Sequence, residues 1–296
     1  MDAADLPELL ESWTLHLTAR ALSRHTIRTY GTGVRMYLAW CEAAGVAPTL
    51  SEKQVTEYVA SLIAGGMEGS TAASRVTALK LFSAWLHKEG ELDVDELAGM
   101  AKPKIHVQPL KPLDEEQLRA LFAACQGTRF VDVRDAALTR LMAETAGRAN
   151  DTLTMTVSGT NIRGGTATVI GKGHKPRILP FGPQTAVALD RYLRARKKHR
   201  LANTDTFWLG GGGKGFAYVA LYKALMARAE AAGIEDFHPH RLRHTGATRW
   251  LAAGGSEVGL MAVAGWESLD MLKRYTEFTK QTRATDEAHR LNLGDL

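Results

Sequence analysis

The sequence predicts a mainly α-helical protein with one small antiparallel β-sheet, divided near residue 110 into two domains, and three observations predict it. Apolar residues recur at helical spacing through most of the 296 residues. The period changes to two only between about residues 152 and 180, and a proline-rich stretch with neither period separates two helical blocks. With 45% apolar residues the chain can bury a real core, which excludes a disordered tail, a peptide hormone and a disulfide miniprotein.

In the first block, Leu10, Trp13 and Leu17 predict one helix, and Ile27, Tyr30, Val34, Tyr37, Leu38 and Cys41 predict a second, closed by Gly45 and Pro48. Ser51 with Gln54 has the form of a capping box and opens a third helix through Val55, Tyr58, Val59 and Leu62. A fourth runs from about Ser70 through Val76, Leu79, Phe82 and Leu86. Pro103, Pro109 and Pro112 stand among lysines, so domains are expected at 1–105 and 113–296 with a linker at 106–112. Beyond the linker, Asp114 with Gln117 starts a helix, and another covers about Val131 to Thr145 and stops at Gly147. Residues 152–157 alternate polar and apolar as a strand does, and 166–170 and 177–180 are β-prone runs joined by the turn-forming segment 171–176. Helices resume from Pro183 through Leu193 and over Val219, Tyr222, Met226 and Ala229, with a flexible glycine loop at 210–213 between them. Pro239 can open a helix to about Ala253, residues 256–264 form another, and Ser268 can cap one carrying Leu272 and Tyr275. The tail 284–293 can form a helix with Ala284, Ala288 and Leu291 on one face.

Charge narrows the function. Lys and Arg number 37 against 32 Asp and Glu, a net +5. Residues 1–110 hold 10 against 13, so residues 111–296 hold 27 against 19, and a polyanion site is expected to centre in the second part. Cys41 and Cys125 are the two cysteines, which suits a reducing compartment and neither a metal knuckle nor a disulfide framework. The acidic start and the lack of any run near 18 apolar residues argue against secretion and membrane insertion, so a cytoplasmic, nucleoid-associated protein is expected.

On the helix after Pro239, His240, Arg243 and His244 lie at i, i+3 and i+4, so one turn presents imidazole and guanidinium together. That pairing suits an anion: a guanidinium donates two parallel hydrogen bonds to a phosphate, and imidazole can hold or pass a proton. A zinc site at His240 and His244 lacks a Glu between them and a third ligand at sensible spacing, and no metal is expected. Arg148 follows Gly147 at a helix end, Asp151 comes three residues later, and Lys172 lies in the turn between two strands. Trp266 follows a glycine and Tyr275 lies nine residues beyond it. Each alone reads more simply as a helix-end cation, a turn lysine or a packing ring; the order and spacing of the set are what carry information.

Four stretches carry a resemblance: 144–151 (Glu-Thr-Ala-Gly-Arg-Ala-Asn-Asp), 171–180 (Gly-Lys-Gly-His-Lys-Pro-Arg-Ile-Leu-Pro), 240–245 (His-Arg-Leu-Arg-His-Thr), and 264–266 (Ala-Gly-Trp) through Arg274 and Tyr275. In this order the sequence resembles the tyrosine recombinase family, the phage integrase and Xer/Cre-like enzymes, over about 113–280. It departs from the family pattern in having Ala146 before the glycine, Asp151 for the commoner Glu, and Trp266 where many members have His. The resemblance implies an N-terminal helical, SAM-like core-binding domain and a C-terminal catalytic domain. It implies that Tyr275 attacks a scissile phosphate, giving a 3′-phosphotyrosyl enzyme and a free 5′-hydroxyl, without metal, nucleotide or other cofactor. Arg148 and Arg243 would clamp the non-bridging oxygens, Trp266 would add a donor, Lys172 would protonate the leaving oxygen, and His240 would accept the tyrosine proton or donate to the phosphate. Asp151 would orient Arg148, with His244 supporting. Backbone contacts are expected from Arg24, His25, Thr26, Arg75 and Lys80 in the first domain and Lys175 and Arg177 beside the hairpin turn. The implied partners are duplex DNA with inverted-repeat core sites, three further copies in a tetrameric synapse, and an accessory DNA-bending or directionality protein. Integration and excision of a phage or mobile element in a bacterial host is the expected use. The alternatives are a Xer-like dimer resolvase, a type IB topoisomerase, or a non-catalytic DNA-binding regulator.

Overall fold

A computed structural model describes residues 6–104, 111–268, 271–272 and 280–291. The chain divides into two compact units, Met1–Gln108 and Pro109–Leu296. The first contains α1 (Leu6–Ala19), α2 (Arg24–Ala44), α3 (Glu52–Ala64) and α4 (Gly69–Glu89). Its core is aromatic: Trp13, Tyr37, Tyr58 and Phe82 pack with Leu6, Val34, Val55, Val76, Leu79 and Leu86, all nearly inaccessible to solvent. Burying such side chains contributes about 1.5–3 kcal/mol each, and their helical spacing is what fixes which faces of α1–α4 turn inward. Ser23 caps α2 by accepting from the Thr26 N–H, and Gly45, in the left-handed region at φ 66°, closes it. The expected capping box of α3 forms only by half. Ser51 accepts from the Gln54 N–H, but the Gln54 amide oxygen turns away to the Thr49 N–H and the Tyr37 hydroxyl. Tyr37 is fully buried and its hydroxyl needs a partner there, which competes with the box.

The second unit runs α5 (Glu115–Ala124), α6 (Phe130–Thr145), α7 (Ala149–Thr152), β1 (Thr160–Asn161), β2 (Thr166–Ile170), β3 (Pro176–Pro180), α8 (Pro183–Arg196), α9 (Tyr218–Ala231), α10 (Pro239–Ala252), α11 (Glu257–Ala264) and α12 (Lys280–Leu291). The strands form an antiparallel sheet in the order β1-β2-β3, with Thr160 opposite Ala167 and Val169 opposite Arg177. Helix α6 lies at the centre, packed against α8 and α10. Asp114 and Gln117 complete the capping box expected at the start of α5. Of the expected linker 106–112, the part 106–110 lies outside the described residues. Immediately after it, the Leu113 N–H donates to the Thr245 hydroxyl and Arg241 donates to the Lys111 carbonyl, so the start of this unit is fastened to α10.

Residues 152–157 do not form the expected strand. Thr152 ends α7, and the hydroxyls of Thr152 and Thr154 donate to the carbonyls of Arg148 and Asp151. Alternating threonines satisfied a helical turn here instead of a sheet ladder; only an isolated bridge, Thr156 with Thr206, remains of the pairing. Ion pairs stitch the N-terminal end of α6 to α9, where Arg228 meets both Asp132 and Asp135, and within α6 Arg134 meets Asp135 as well. Hydrogen bonds from Arg129 and Arg228 hold the Asp132 carboxyl well below the usual carboxylate range. Among the described residues no helix is long and apolar enough to cross a membrane.

Candidate active site and nucleic-acid interface

The site is assembled where four elements of the second unit end. Helix α6 finishes at Ala146, which adopts the left-handed region at φ 50°, and the chain then turns so that Arg148 becomes the N-cap of the short α7. Helix α10, carrying His240 and Arg243, is pressed against that turn through Gly246; a Cβ there would stand 2.8 Å from the Ala146 nitrogen. Helix α11 ends at Gly265, φ 64°, and its last carbonyls face back toward both arginines. Arg148 Nη2 donates to the Gly265 carbonyl at 2.8 Å, and Arg243 donates from Nη1 to Ala146 and from Nη2 to Ala264, both at 2.8 Å. Consecutive carbonyls at one helix C-terminus therefore gather two guanidiniums from distant parts of the sequence, where the helix dipole also favours cations.

The two arginines differ in exposure. Arg148 is one-third exposed along its side chain, whereas Arg243 is 1% exposed, with its guanidinium 5.2 Å above the Trp266 ring. Trp266 is itself buried, so its ring supports Arg243 from below. Asp151 lies beside Arg148 at 3.5 Å. His240 is exposed, and its ring meets the buried His244 edge-on at 5.0 Å and stacks over His238 at 6.3 Å. Burial, then the Arg241 charge, pull the His238 pKa below its ordinary value. A cleft of about 540 Å³ is lined by Arg148, Asp151, Gly171, Tyr218, His240 and Arg243 among others. A second cavity, about 1200 Å³ and lined mainly by apolar groups of β3 and α11, shares Arg148 and Gly171 with it.

Lys172 opens the turn between β2 and β3, which the Gly171 N–H closes on the Lys175 carbonyl; the Lys172 side chain lies outside the description. Tyr275 also lies outside the described residues. Of the tyrosines described in this unit, Tyr192 is fully buried and pushed up to about 12 by that burial, while Tyr218 and Tyr222 are exposed. Lys175, expected at the DNA backbone, pairs with Glu267 on the surface. Arg177 departs from the same expectation. Its side chain is only 10% exposed and turns inward to Asp151 at 2.6 Å, because a buried carboxylate offers a desolvated guanidinium a stronger partner than solvent does.

In the first unit a separate groove of about 430 Å³ is lined by His25, Arg28, Thr29 and Thr32 of α2 and by Ser70, Thr71, Ser74 and Arg75 of α4. Arg28, Thr29, Thr32, Ser70 and Thr71 were not among the expected contacts. Their signal was available: 25, 28, 29 and 32 share one helix face, as do 70, 71, 74 and 75. Arg24 and Thr26 stand at the start of α2, where the Thr26 hydroxyl is shared with Ser23. Lys80 is engaged elsewhere, donating to the carbonyls of Ala98 and Met100 and so holding the turn after α4.

Comparison with known proteins gives a consistent result. Residues 111–282 match the model of the phage integrase family, and residues 10–90 match that of the phage integrase N-terminal SAM-like domain. The chain is 30% identical over 285 residues to the tyrosine recombinase XerD of Corynebacterium glutamicum, covering 92% of this chain and 93% of that protein. Among solved structures it is similar to XerH site-specific recombinase bound to a palindromic difH substrate, with TM-score 0.75, 20% identity, and coverage of 97% and 84% of the two chains. It is also similar to a lambda integrase tetramer bound to a Holliday junction, with TM-score 0.68, 17% identity, and coverage of 89% and 77%.

Proposed function

The chain belongs to the phage integrase family, the tyrosine recombinases, enzymes that cleave and rejoin DNA strands, and from that premise we propose that Arg148, Lys172, His240, Arg243, Trp266 and Tyr275 carry the strand transfer. The observation that supports it most is the single cleft holding Arg148, His240 and Arg243, brought there from two separate elements and anchored on one helix end. The Tyr275 phenol oxygen bonds to the scissile phosphorus and the bond to the 5′-oxygen breaks, leaving a 3′-phosphotyrosyl link and a 5′-hydroxyl. That hydroxyl then attacks the phosphotyrosyl phosphorus formed in the partner duplex and expels the tyrosine there, so phosphodiesters are conserved. A phenol of pKa about 10 is a poor nucleophile at neutral pH. His240, exposed at the cleft, takes its proton in this reading, and Lys172, which begins the hairpin turn, protonates the departing 5′-oxygen. Arg148 and Arg243 offset the charge that builds on the non-bridging oxygens, with Trp266 holding Arg243 in place.

The α2–α4 groove takes DNA backbone, and the partners are duplex DNA with inverted-repeat core sites, a tetramer of this chain on it, and an accessory bending or directionality protein. The compartment is the cytoplasm of a bacterial host. Integration and excision of a mobile element is the use; the Xer relatives favour a second reading, resolution of dimers between two identical sites. Exchange between two unlike sites and none between identical ones indicates integration, and the reverse indicates resolution. The chemical step is tested with a nicked suicide duplex carrying the core site: the wild type forms a covalent adduct and Tyr275→Phe does not, whereas Tyr218→Phe keeps it. An adduct that persists in Tyr275→Phe sinks the assignment. Helix α12, with Leu291 exposed, is the segment that docks on a neighbouring copy. Deleting 284–296 leaves single-site binding intact and lowers cooperative synapsis; unchanged recombination would refute this.

A further inference from the structure

Asp151 presents one desolvated carboxylate to two arginines. Its Oδ2 lies 2.6 Å from Arg177 Nη2 and 3.5 Å from Arg148 Nη1, and its side chain is 8% exposed. Arg177 enters from β3, opposite Val169, in the hairpin whose turn begins with Lys172. Its guanidinium is wedged between Asp151 and the end of α11: a Cβ on Gly265 would lie 1.7 Å from Arg177 Nη1 and 3.1 Å from Arg148 Nη1. Gly171, the residue before Lys172, sits over the same ion pair, with a Cβ position 3.9 Å from Arg177 Nη1 and 4.0 Å from Asp151 Oδ2. Three pieces of the site thus meet on one buried side chain.

We propose that Arg177 is a positioning residue that draws the Asp151 carboxylate into the closer of its two ion pairs, at 2.6 Å against 3.5 Å to Arg148, so that the Arg148 guanidinium keeps more of its charge for the scissile phosphate. The inference rests on Arg148 acting as the phosphate clamp. A carboxylate in direct contact with a clamp arginine cancels the field that stabilises a phosphoryl transition state, and the cancellation is strong where water is excluded. With Arg177 present, the trio of Arg148, Asp151 and Arg177 carries a net positive charge, and the shorter ion pair is the one to Arg177, which does not line the cleft that Arg148 and Arg243 share. Without it, the nearest described cation left for Asp151 is Arg148. Burial, with the Arg148 charge adding to it, pulls the Arg177 pKa below its ordinary value, while Asp151 opposes both, consistent with a cation kept in place by that carboxylate.

The test is single-turnover cleavage of the suicide duplex, with duplex affinity measured in parallel and the wild-type adduct at Tyr275 verified first. Arg177→Gln is expected to slow cleavage about tenfold or more while affinity changes less than about twofold, and adding Asp151→Asn is expected to recover most of that loss, because the competing carboxylate is gone. Wild-type cleavage by Arg177→Gln overturns the proposal. So does a loss of affinity with cleavage unchanged at saturation, the mark of a backbone contact, and so does a double variant no faster than Arg177→Gln. Should Arg177→Gln not fold, Arg177→Lys decides: retention of the charge is expected to keep cleavage within about threefold of wild type, and a loss as deep as that of Arg148→Ala overturns the charge argument in favour of packing. A wild-type protein that forms no adduct breaks the reading of the site itself and the proposal with it.

Discussion

The groove between α2 and α4 and the cleft between α7 and α10 both present arginine and histidine to an anion, yet they are built differently. The groove is a surface: His25, Arg28, Ser74 and Arg75 stand on regular helices whose opposite faces form the core, and its donors are half-buried or exposed. The cleft is an assembly of helix ends, in which Arg243 is buried and both Arg148 and Arg243 are pinned to carbonyls of other elements. A surface of independent donors gives affinity that is spread over many contacts and sensitive to salt. Donors fixed before substrate arrives give rate, since no reorganisation is needed when charge develops. On the proposed function, the same residue types would serve binding in one unit and chemistry in the other.

That contrast can be broken most readily with the largest effects. Arg148→Ala should slow single-turnover cleavage by about 10²–10³ or more with little change in affinity; an equal loss in affinity and none in rate would place Arg148 among ordinary backbone contacts. In the groove, Arg28→Ala and Arg75→Ala should weaken binding to all duplexes alike and lower the salt dependence by about one counterion each. Cleavage at saturating protein should stay unchanged, and slower chemistry there would mean that the groove, too, shapes the site.

A pair of glycines sharpens the comparison. Gly45 and Gly265 have nearly the same left-handed conformation, at φ 66° and 64°, but a Cβ at Gly45 meets nothing within 4 Å while one at Gly265 meets both Arg177 and Arg148. Alanine at either should cost about 1–2 kcal/mol in backbone strain; at Gly265 the displacement of Arg177 adds to that loss of thermal stability, and only Gly265→Ala should also slow cleavage. Equal kinetic effects would count against a preorganised clamp. The smallest effect is expected at the end of α6 opposite the cleft. Because the Asp132 pKa is depressed in the folded state, its contribution is present above the unfolded value of about 4 and is lost as pH falls below it. Asp132→Asn should lower the melting temperature by about 2–4 °C at pH 7, with the difference from wild type shrinking toward pH 3, and the cleavage rate of folded enzyme should not change.

Much of the scaffold was legible because local rules and packing agreed. The apolar spacing of Leu10, Trp13 and Leu17 and of Ile27 through Cys41, with the Asp114–Gln117 box, leads directly to α1, α2 and α5. The alternation over 152–157 misled because Thr152 and Thr154 spend their hydroxyls on the carbonyls of the turn behind them, a competition that periodicity does not record. At the site, the sequence pointed to Arg148, His240 and Arg243 and the structure brings them together. It did not reveal which cations face inward. Within the basic run at 194–200, Arg196 is buried and holds the carbonyls of Ala202, Thr204, Thr206 and Phe207, and Arg177 is likewise drawn in by Asp151. Whether an arginine meets solvent or a carbonyl depends on loops that fold back from elsewhere, and a single stretch of sequence carries no trace of them.

The claim beneath all of this is that one phosphate is held by Arg148 and Arg243 while Tyr275 displaces a sugar oxygen from it. Proteolysis of the trapped DNA adduct followed by mass mapping of the cross-linked peptide tests this most directly. The account predicts a single phosphotyrosyl linkage, on the peptide containing Tyr275 and joined to a 3′ end. A linkage on Tyr218, on Tyr222, or to a 5′ end would contradict it.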